Sequence, residues 1–538
     1  MSCLSQGGPA DASLQLEALG RLGRPPGACR ASAWGDAAGR KALAALSQCL
    51  EEAKMKRREF LQVSLASGVP AVVPSPSGAA AGASGGAPDE SERETIIAGV
   101  RLALDNSIYP SLRERAYPGH FTIVAGGKAY GAETTWPGLD SWQMAGAYLL
   151  LGKHREMLDY FDFVQASQRP CSDRDAFYAR GNVPFAIFPA EKPFKNLEHS
   201  FLRGLRYPAD VYTYRPRVRL GQPEHSGMGA RKWIGLFTHW QEIANPLSVL
   251  APICFVLTGQ EIFAATQSDT WLAEKMPALE AAGRYLLTRI TSNRLLSGSG
   301  FYVESPPRNQ WDGVTQCYGI YAFRQLAALA ASLGKRDGAA AWNRHADALQ
   351  ARFLEVFWRD GHFAEYVHPE HGLVDSHGLA DVNWAAIGLD VATDGQIKRL
   401  WPALTAQPMF WRGGMPTHLV TRPLTYRRWE LSEPVPIEYN SWTNDVAAMG
   451  RVWYLEVLAC QRMRDDQRLR QSVLKVCQRG QKDGGFWYER YHAGEGNTVQ
   501  PGGAYGYCEY AAILVRAVLG NLAAFPECRS FAPAGSRL

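Results

Sequence analysis

The chain has 538 residues, 46% hydrophobic and 20% charged, enough for a large core; length alone admits roughly two to four domains, or one all-helical barrel. Its formal charge of +5 is spread along the chain apart from one short N-terminal basic cluster, which sets a nucleic-acid partner aside. The 10 Cys form no CxxC pairs or metal-type clusters, so no metal site is expected, and Cys171, Cys254, Cys317, Cys460, Cys477 and Cys508 read as buried thiols in apolar helical runs.

Residues 55–83 read MKRREFLQVSLASGVPAVVPSPSGAAAGA. Arg57 and Arg58 precede Phe60 and Leu61, a weakly apolar stretch broken by Pro70, and small residues in A-x-A order. The segment is similar to a twin-arginine export signal; a basic turn before a helix is the competing reading. The stretch is too short and small-sided for a membrane span. On the export reading Met55 is the initiator, residues 1–54 are an upstream extension outside the fold, and the mature protein starts near residue 84. It then lies in the periplasm or outside the cell, with no membrane partner.

After a linker over 84–90, apolar residues recur at helical spacing for most of the chain. The pattern predicts helices over 91–106, 139–151, 153–167, 237–258, 268–291, 313–333, 336–357, 379–390, 394–404, 441–463, 466–480 and 506–522. Several pair through short turns, with Gly152 and Gly334 at helix C-caps. Strand-like runs at 121–127 and 362–367 are short and few. Long loops rich in Trp, Tyr, Gly and Pro, such as 169–232 and 405–440, separate the pairs. Six successive helical hairpins with elaborate loops on one side predict an all-α fold, an (α/α)6 toroid over 91–525 whose loops surround a pit, followed by a tail over 526–538. An elongated helical array is disfavoured, because no fixed repeat period appears.

Three acidic segments combine a carboxylate with Trp where a loop meets a helix. In TTWPGLDSWQ, residues 134–143, Asp140 lies between Trp136 and Trp142, and helix capping accounts for it equally well. In NQWDGVTQ, residues 309–316, Asp312 follows Trp311 and opens a long helix. A helix N-terminus favours an ionised carboxylate, so an acid role for Asp312 asks for desolvation or a neighbouring negative charge. In GGFWYERY, residues 484–491, Glu489 is set among Trp487, Tyr488 and Tyr491, ahead of a Gly-rich loop carrying Tyr505. A lone Glu beside aromatics is otherwise a solvated loop residue. Two carboxylates brought from separate loops to a ring-lined pit suit glycoside hydrolysis, where one protonates the leaving oxygen and the other activates water or attacks the sugar.

The same residues carry a resemblance to the six-hairpin glycosidases, most closely the clan of trehalase, processing alpha-glucosidase and mannosylglycerate hydrolase. LDSW at 139–142 resembles that group's W-D-[ST]-[WY] element. Glu304, Ser305, Trp311 and Asp312 supply the ingredients of its E-S-G-[WM]-D element, with PPRNQ inserted. WYERY at 487–491 followed by GGAYGY at 502–507 resembles its F-x-E-x-Y element and Gly-rich loop. The resemblance implies an inverting glycoside hydrolase of alpha-linked substrates, with Asp140 holding the sugar, Asp312 as general acid and Glu489 as general base.

Further sugar contacts are expected from His239, Trp240 and Glu242 in THWQEIANP, and from Tyr439, Asn440 and Trp442 in EYNSWTND; capping or packing explains these equally well. Asp375, His377 and Asp381 are other candidates for the pit wall. No Gly-rich phosphate loop lies between a strand and a helix, so no cofactor is implied and the expected partner is a carbohydrate. The oligomeric state is left open. A sugar epimerase, phosphorylase or polysaccharide lyase on the same scaffold, or a non-catalytic sugar-binding protein, remains the alternative.

Overall fold

A computed structural model describes residues 89–113, 121–123, 135–138, 141–169, 180–189, 212–219, 233–239, 246–298, 311–377, 381–406, 414–416, 427, 429, 447–493 and 498–533. All belong to the second of two units into which the chain divides, Ala87–Leu538. The proposed signal, residues 84–88 of the linker, Cys171 and the last five residues lie outside the described residues, while the end of the linker caps and opens the first helix.

The helices are α1 (Glu90–Ala103), continued by a π-helical segment and α2 (Tyr109–Arg113), α3 (Ser141–Leu150), α4 (His154–Gln165), α5 (Leu250–Thr266), α6 (Asp269–Thr288), α7 (Gly313–Ser332), α8 (Arg336–Phe357), α9 (Asp381–Gly388), α10 (Asp394–Thr405), α11 (Gly450–Met463), α12 (Asp466–Lys482) and α13 (Cys508–Leu519). Helices α3, α5, α7, α9, α11 and α13 each pack on the next, and α13 returns to α3, closing a ring of six. Outside it, α1 lies on α12 and α13, α4 on α3 and α5, α6 on α5 and α7, α8 on α7, α10 on α9, and α12 on α11. The all-α toroid read from the sequence is therefore the fold.

Composition explains which helices line the ring. Every residue of α13, and all but the last of α3, is buried, because an inner helix meets protein on all sides. By contrast α12 buries one stripe, including Leu469, Val473, Val476 and Cys477, and turns its charges outward. The inner helices run in one direction. Turns from inner to outer helix are short, at 151–153, 267–268, 333–335, 389–393 and 464–465, whereas outer-to-inner connections such as 289–312, 358–380 and 483–507 are long. Gly152 and Gly334 take φ of +72° and +70° in two of the short turns, a left-handed C-cap conformation that favours glycine.

Three antiparallel three-stranded sheets belong to the long-loop end. Their orders are β1-β3-β2 (Ala186–Pro189, Trp233–His239, Tyr212–Arg219), β4-β5-β6 (Trp311–Asp312, Tyr366–His368, Gly372–Val374) and β7-β8-β9 (Ala447–Met449, Tyr488–Ala493, Val499–Tyr505). Two expected helices start later than the periodicity suggests. WIGLFTH forms β3 and helix follows only from residue 250, while Ala447–Met449 is strand before α11 begins.

Within the bore, Trp142 of α3 meets Tyr318 of α7 and Tyr454 of α11 edge-on, each at 5.6 Å between ring centroids. These helices are not neighbours in the ring, so the aromatics meet near its axis and plug it.

The described cysteines Cys254, Cys317, Cys460, Cys477, Cys508 and Cys528 are buried, and none of them forms a disulfide among the described residues. Among the described residues one apolar segment, Leu247–Thr266, is long enough to cross a membrane, and most of it is packed inside the protein.

Candidate active site

Asp312 ends β4 and is the N-cap of α7. Its extended backbone, φ −78° and ψ 137°, turns the carboxylate back so that Thr315 N–H donates to Oδ1 at 3.1 Å. The residue is 2% exposed. Antiparallel pairing with Tyr366, and a 3.0 Å hydrogen bond from Gly313 N–H to the Glu365 carbonyl, fix this corner against β5. Trp311 is partly buried beside it, and its indole N–H donates to Thr291 Oγ1 at 2.9 Å.

A second carboxylate lies one inner helix away. Asp381 opens α9, and Val382 packs so closely on the start of α7 that a Cβ on Gly313 would lie 2.6 Å from its Cγ2. Both Asp312 and Asp381 act on the Cys317 thiol, which is pushed well above its usual range by burial first and then by these two charges. The first residue of α9 and the N-cap of α7 thus both bring a carboxylate within electrostatic reach of Cys317.

Glu365, which sequence reasoning passed over, is 1% exposed. Its Oε1 accepts from His377 N–H at 2.8 Å and its Oε2 lies 2.6 Å from His377 Nδ1. His377 is clamped at both backbone and ring, which pins residues 375–377 to β5. Asp375 instead pairs with His362 at 2.6 Å. The available signal for Glu365 was a charged residue inside the apolar strand-like run HFAEYV.

Glu489 lies on β8 and is 6% exposed. Arg490 Nη2 donates to Oε1 at 3.2 Å, and Ala504 N–H on β9 donates to Oε2, also at 3.2 Å. Gly503, with φ +71°, faces the carboxylate; an added Cβ would lie 2.3 Å from Oε2. The Gly-rich loop therefore makes room for Glu489 itself. Next along the strand, His492 is driven down to about 4 by burial first and then by Arg490, with Glu489 opposing.

Three of the aromatics expected to contact sugar are placed elsewhere. Trp487 has no exposed surface; its indole N–H donates to the Val476 carbonyl at 3.0 Å, and its ring presses on Gly480 of α12. Tyr491 is likewise enclosed: its hydroxyl donates to Asp483 Oδ2 at 2.9 Å and accepts from Tyr488 N–H at 2.9 Å. Trp142 is the axial plug, 1% exposed. These side chains act as packing residues, because an aromatic face already covered by protein has no surface left for a ligand. Trp136 packs edge-on against Phe185 and is buried. Tyr505 remains 37% exposed, leans on Tyr488 and donates to the Asp483 carbonyl at 2.9 Å.

Asp140, Trp240, Glu242, Glu304, Ser305, Tyr439, Asn440 and Trp442 lie outside the described residues, as does the side chain of His239 at the end of β3.

No protein-family model matches this sequence, and no curated protein does. Solved structures do. The GH63 mannosylglycerate hydrolase from Thermus thermophilus, in a complex with glucose, shares 12% identity at a TM-score of 0.45 over 78% of this chain and 99% of that one. The GH78 family rhamnosidase of Bacillus sp. GL1 shares 15% identity at a TM-score of 0.35 over 52% of this chain. Both are glycoside hydrolases. The match spans only 27% of the rhamnosidase's length. At these scores the assignment of the fold rests on the closed ring of helices itself.

Proposed function

We propose that the protein is an inverting glycoside hydrolase acting on an alpha-linked glycoside. Asp312 protonates the leaving oxygen, and Glu489 activates the water that attacks the opposite face of the sugar. The observation that supports this reading best is the placement of two buried carboxylates on different sheets, β4 and β8, at the long-loop end of one closed ring. Asp381, at the start of the neighbouring inner helix α9, would add negative charge where an oxocarbenium-like transition state develops positive charge. Arg490 and Ala504 N–H orient Glu489. Asp140 and the aromatic loop residues on either side of it would complete the subsite for the reacting sugar.

Hydrolysis of a panel of alpha- and beta-glycosides, including disaccharides and glycosylglycerates, tests the reading against the Asp312→Asn and Glu489→Gln variants. Turnover lost in both variants, with the anomeric configuration of the first-formed sugar inverted by NMR, is the expected result. Retention of configuration would reject the water-activating role of Glu489. Sugar binding without turnover in all three proteins would make this a binding protein.

We further propose that residues 55–83 direct export. N-terminal sequencing of the protein from its native cells is expected to find a start near residue 84, and peptides from residues 1–54 would rule out Met55 as initiator.

A further inference from the structure

The plugged ring has a second mouth. On the short-turn side of Trp142 a cavity of about 860 Å³ opens between the inner helices α3, α5, α7, α11 and α13. Glu261, Tyr321, Tyr454 and Arg516 line it, with Gly152, His154 and Gln267 from the short turns. It lies at the opposite end of the ring from Asp312 and Glu489, and its size is within the roughly 300–1,000 Å³ of small-molecule pockets.

Its walls are built around one buried cation. Arg516 lies against α3 at Gly146, where a Cβ would come within 2.3 Å of its Nε, so only glycine admits the guanidinium. Nη1 donates to the carbonyls of Trp142 and Gln143, each at 3.0 Å, and Nη2 donates to Glu261 Oε1. The same Oε1 accepts from the Trp142 indole N–H at 3.1 Å. The guanidinium also stacks over Tyr454 at 4.4 Å and Trp142 at 5.6 Å.

Three polar atoms at this cavity are left without a hydrogen-bond partner among the described residues: Glu261 Oε2 and the hydroxyls of Tyr321 and Tyr454. Tyr454 is 3% exposed and lines the cavity, so what its hydroxyl meets there is a ligand or water. Tyr321 is pushed up to about 12 by burial first and then by Glu261, and so keeps its proton to donate.

The charge pattern selects among ligands. Arg516 is paired with the Glu261 carboxylate and donates to two carbonyls, and the second carboxylate oxygen at the cavity repels an anion. A cation meets the fixed positive charge of Arg516, which also occupies the ring faces of Tyr454 and Trp142. An apolar molecule would strand two phenols and a carboxylate oxygen. From this we propose that the cavity is a second binding site, for a neutral polyhydroxylated molecule of sugar or polyol class, whose hydroxyls donate to Glu261 Oε2 and bond with Tyr321 and Tyr454. The site is independent of the chemistry proposed at the other mouth.

Calorimetric titration of the full chain with glucose, glycerol and myo-inositol tests it, beside Tyr321→Phe/Tyr454→Phe and Ala264→Trp variants. The double substitution removes two hydroxyls that hold nothing in the protein, and the tryptophan fills the cavity from the partly exposed face of α5. At least one probe is expected to bind the wild type, about tenfold more weakly in the double variant and not at this site in the filled one. Absence of binding by all three probes, or equal affinity and stoichiometry in the wild type and the double variant, would overturn the proposal, the latter assigning the sugar to the other mouth alone.

Discussion

Gly503 and Glu489 face each other across β8 and β9 at a distance only glycine allows: a Cβ at Gly503 would lie 2.3 Å from Glu489 Oε2. The position is also left-handed, at φ +71°, which disfavours any L side chain by roughly 1–2 kcal/mol. Gly503→Ala is therefore expected to displace the carboxylate from Arg490 and Ala504 N–H. On the hydrolase reading kcat should fall at least about tenfold, since a misplacement of about 1 Å can cost more than that. Turnover equal to wild type would show that Glu489 is not the base.

Asp312 has two separable duties. As N-cap it satisfies Thr315 N–H, a role an amide oxygen also fills; as an acid it must carry a proton. Asp312→Asn should leave the thermal midpoint near wild type while abolishing turnover of substrates with poor leaving groups. Asp312→Ala should lose turnover and, in addition, about 0.5–2 kcal/mol of stability from the lost cap. If the Asn variant keeps full activity, Asp312 is only a cap.

The ring was legible in the sequence because inner helices are apolar all round and outer ones carry a single stripe, and both signals are local. The start of α5 was not: WIGLFTH is apolar at either period, and its pairing with β1 and β2 decides it for strand. Carboxylates near Trp at loop-helix junctions singled out Asp312 and Glu489, and the fold buries both. The same rule over-assigned Trp487 and Tyr491, since alternation in β8 turns residues 487, 489 and 491 toward the protein. Arg516 and Glu261 left no local trace. They are 255 positions apart, and only closure of α13 onto α3, which also packs on α5, brings them together.

Trp487 offers a direct check on that correction. Its ring fills the space over Gly480 and its N–H meets the Val476 carbonyl at 3.0 Å. Trp487→Ala should destabilise by about 3–5 kcal/mol, the range for large buried aromatics. Trp487→Phe should cost less, through the lost indole hydrogen bond and the residual gap. Denaturant unfolding measures both. With KM for the hydrolysed glycoside little changed in the Phe variant, the ring is a support; a large rise in KM at wild-type stability would return it to the pit wall.

His492 sets a pH dependence with a definite sign. Burial, and then Arg490, hold it near 4 in the folded protein against 6.5 for a free histidine. Between those values the unfolded chain binds a proton that the folded chain refuses, so this contribution to stability is intact above about pH 6.5 and is lost as pH falls toward 4. The loss is at most about 3 kcal/mol. His362 acts in the opposite sense, because its hydrogen bond with Asp375 raises it above 6.5; the stability it contributes is present below 6.5 and fades as pH rises through the raised value. Urea unfolding at pH 7 and pH 5 should therefore show a smaller loss on acidification in His492→Gln than in the wild type, and a larger loss in Asp375→Asn. Equal losses in wild type and His492→Gln would mean that His492 takes up its proton in the folded state as readily as in the unfolded one.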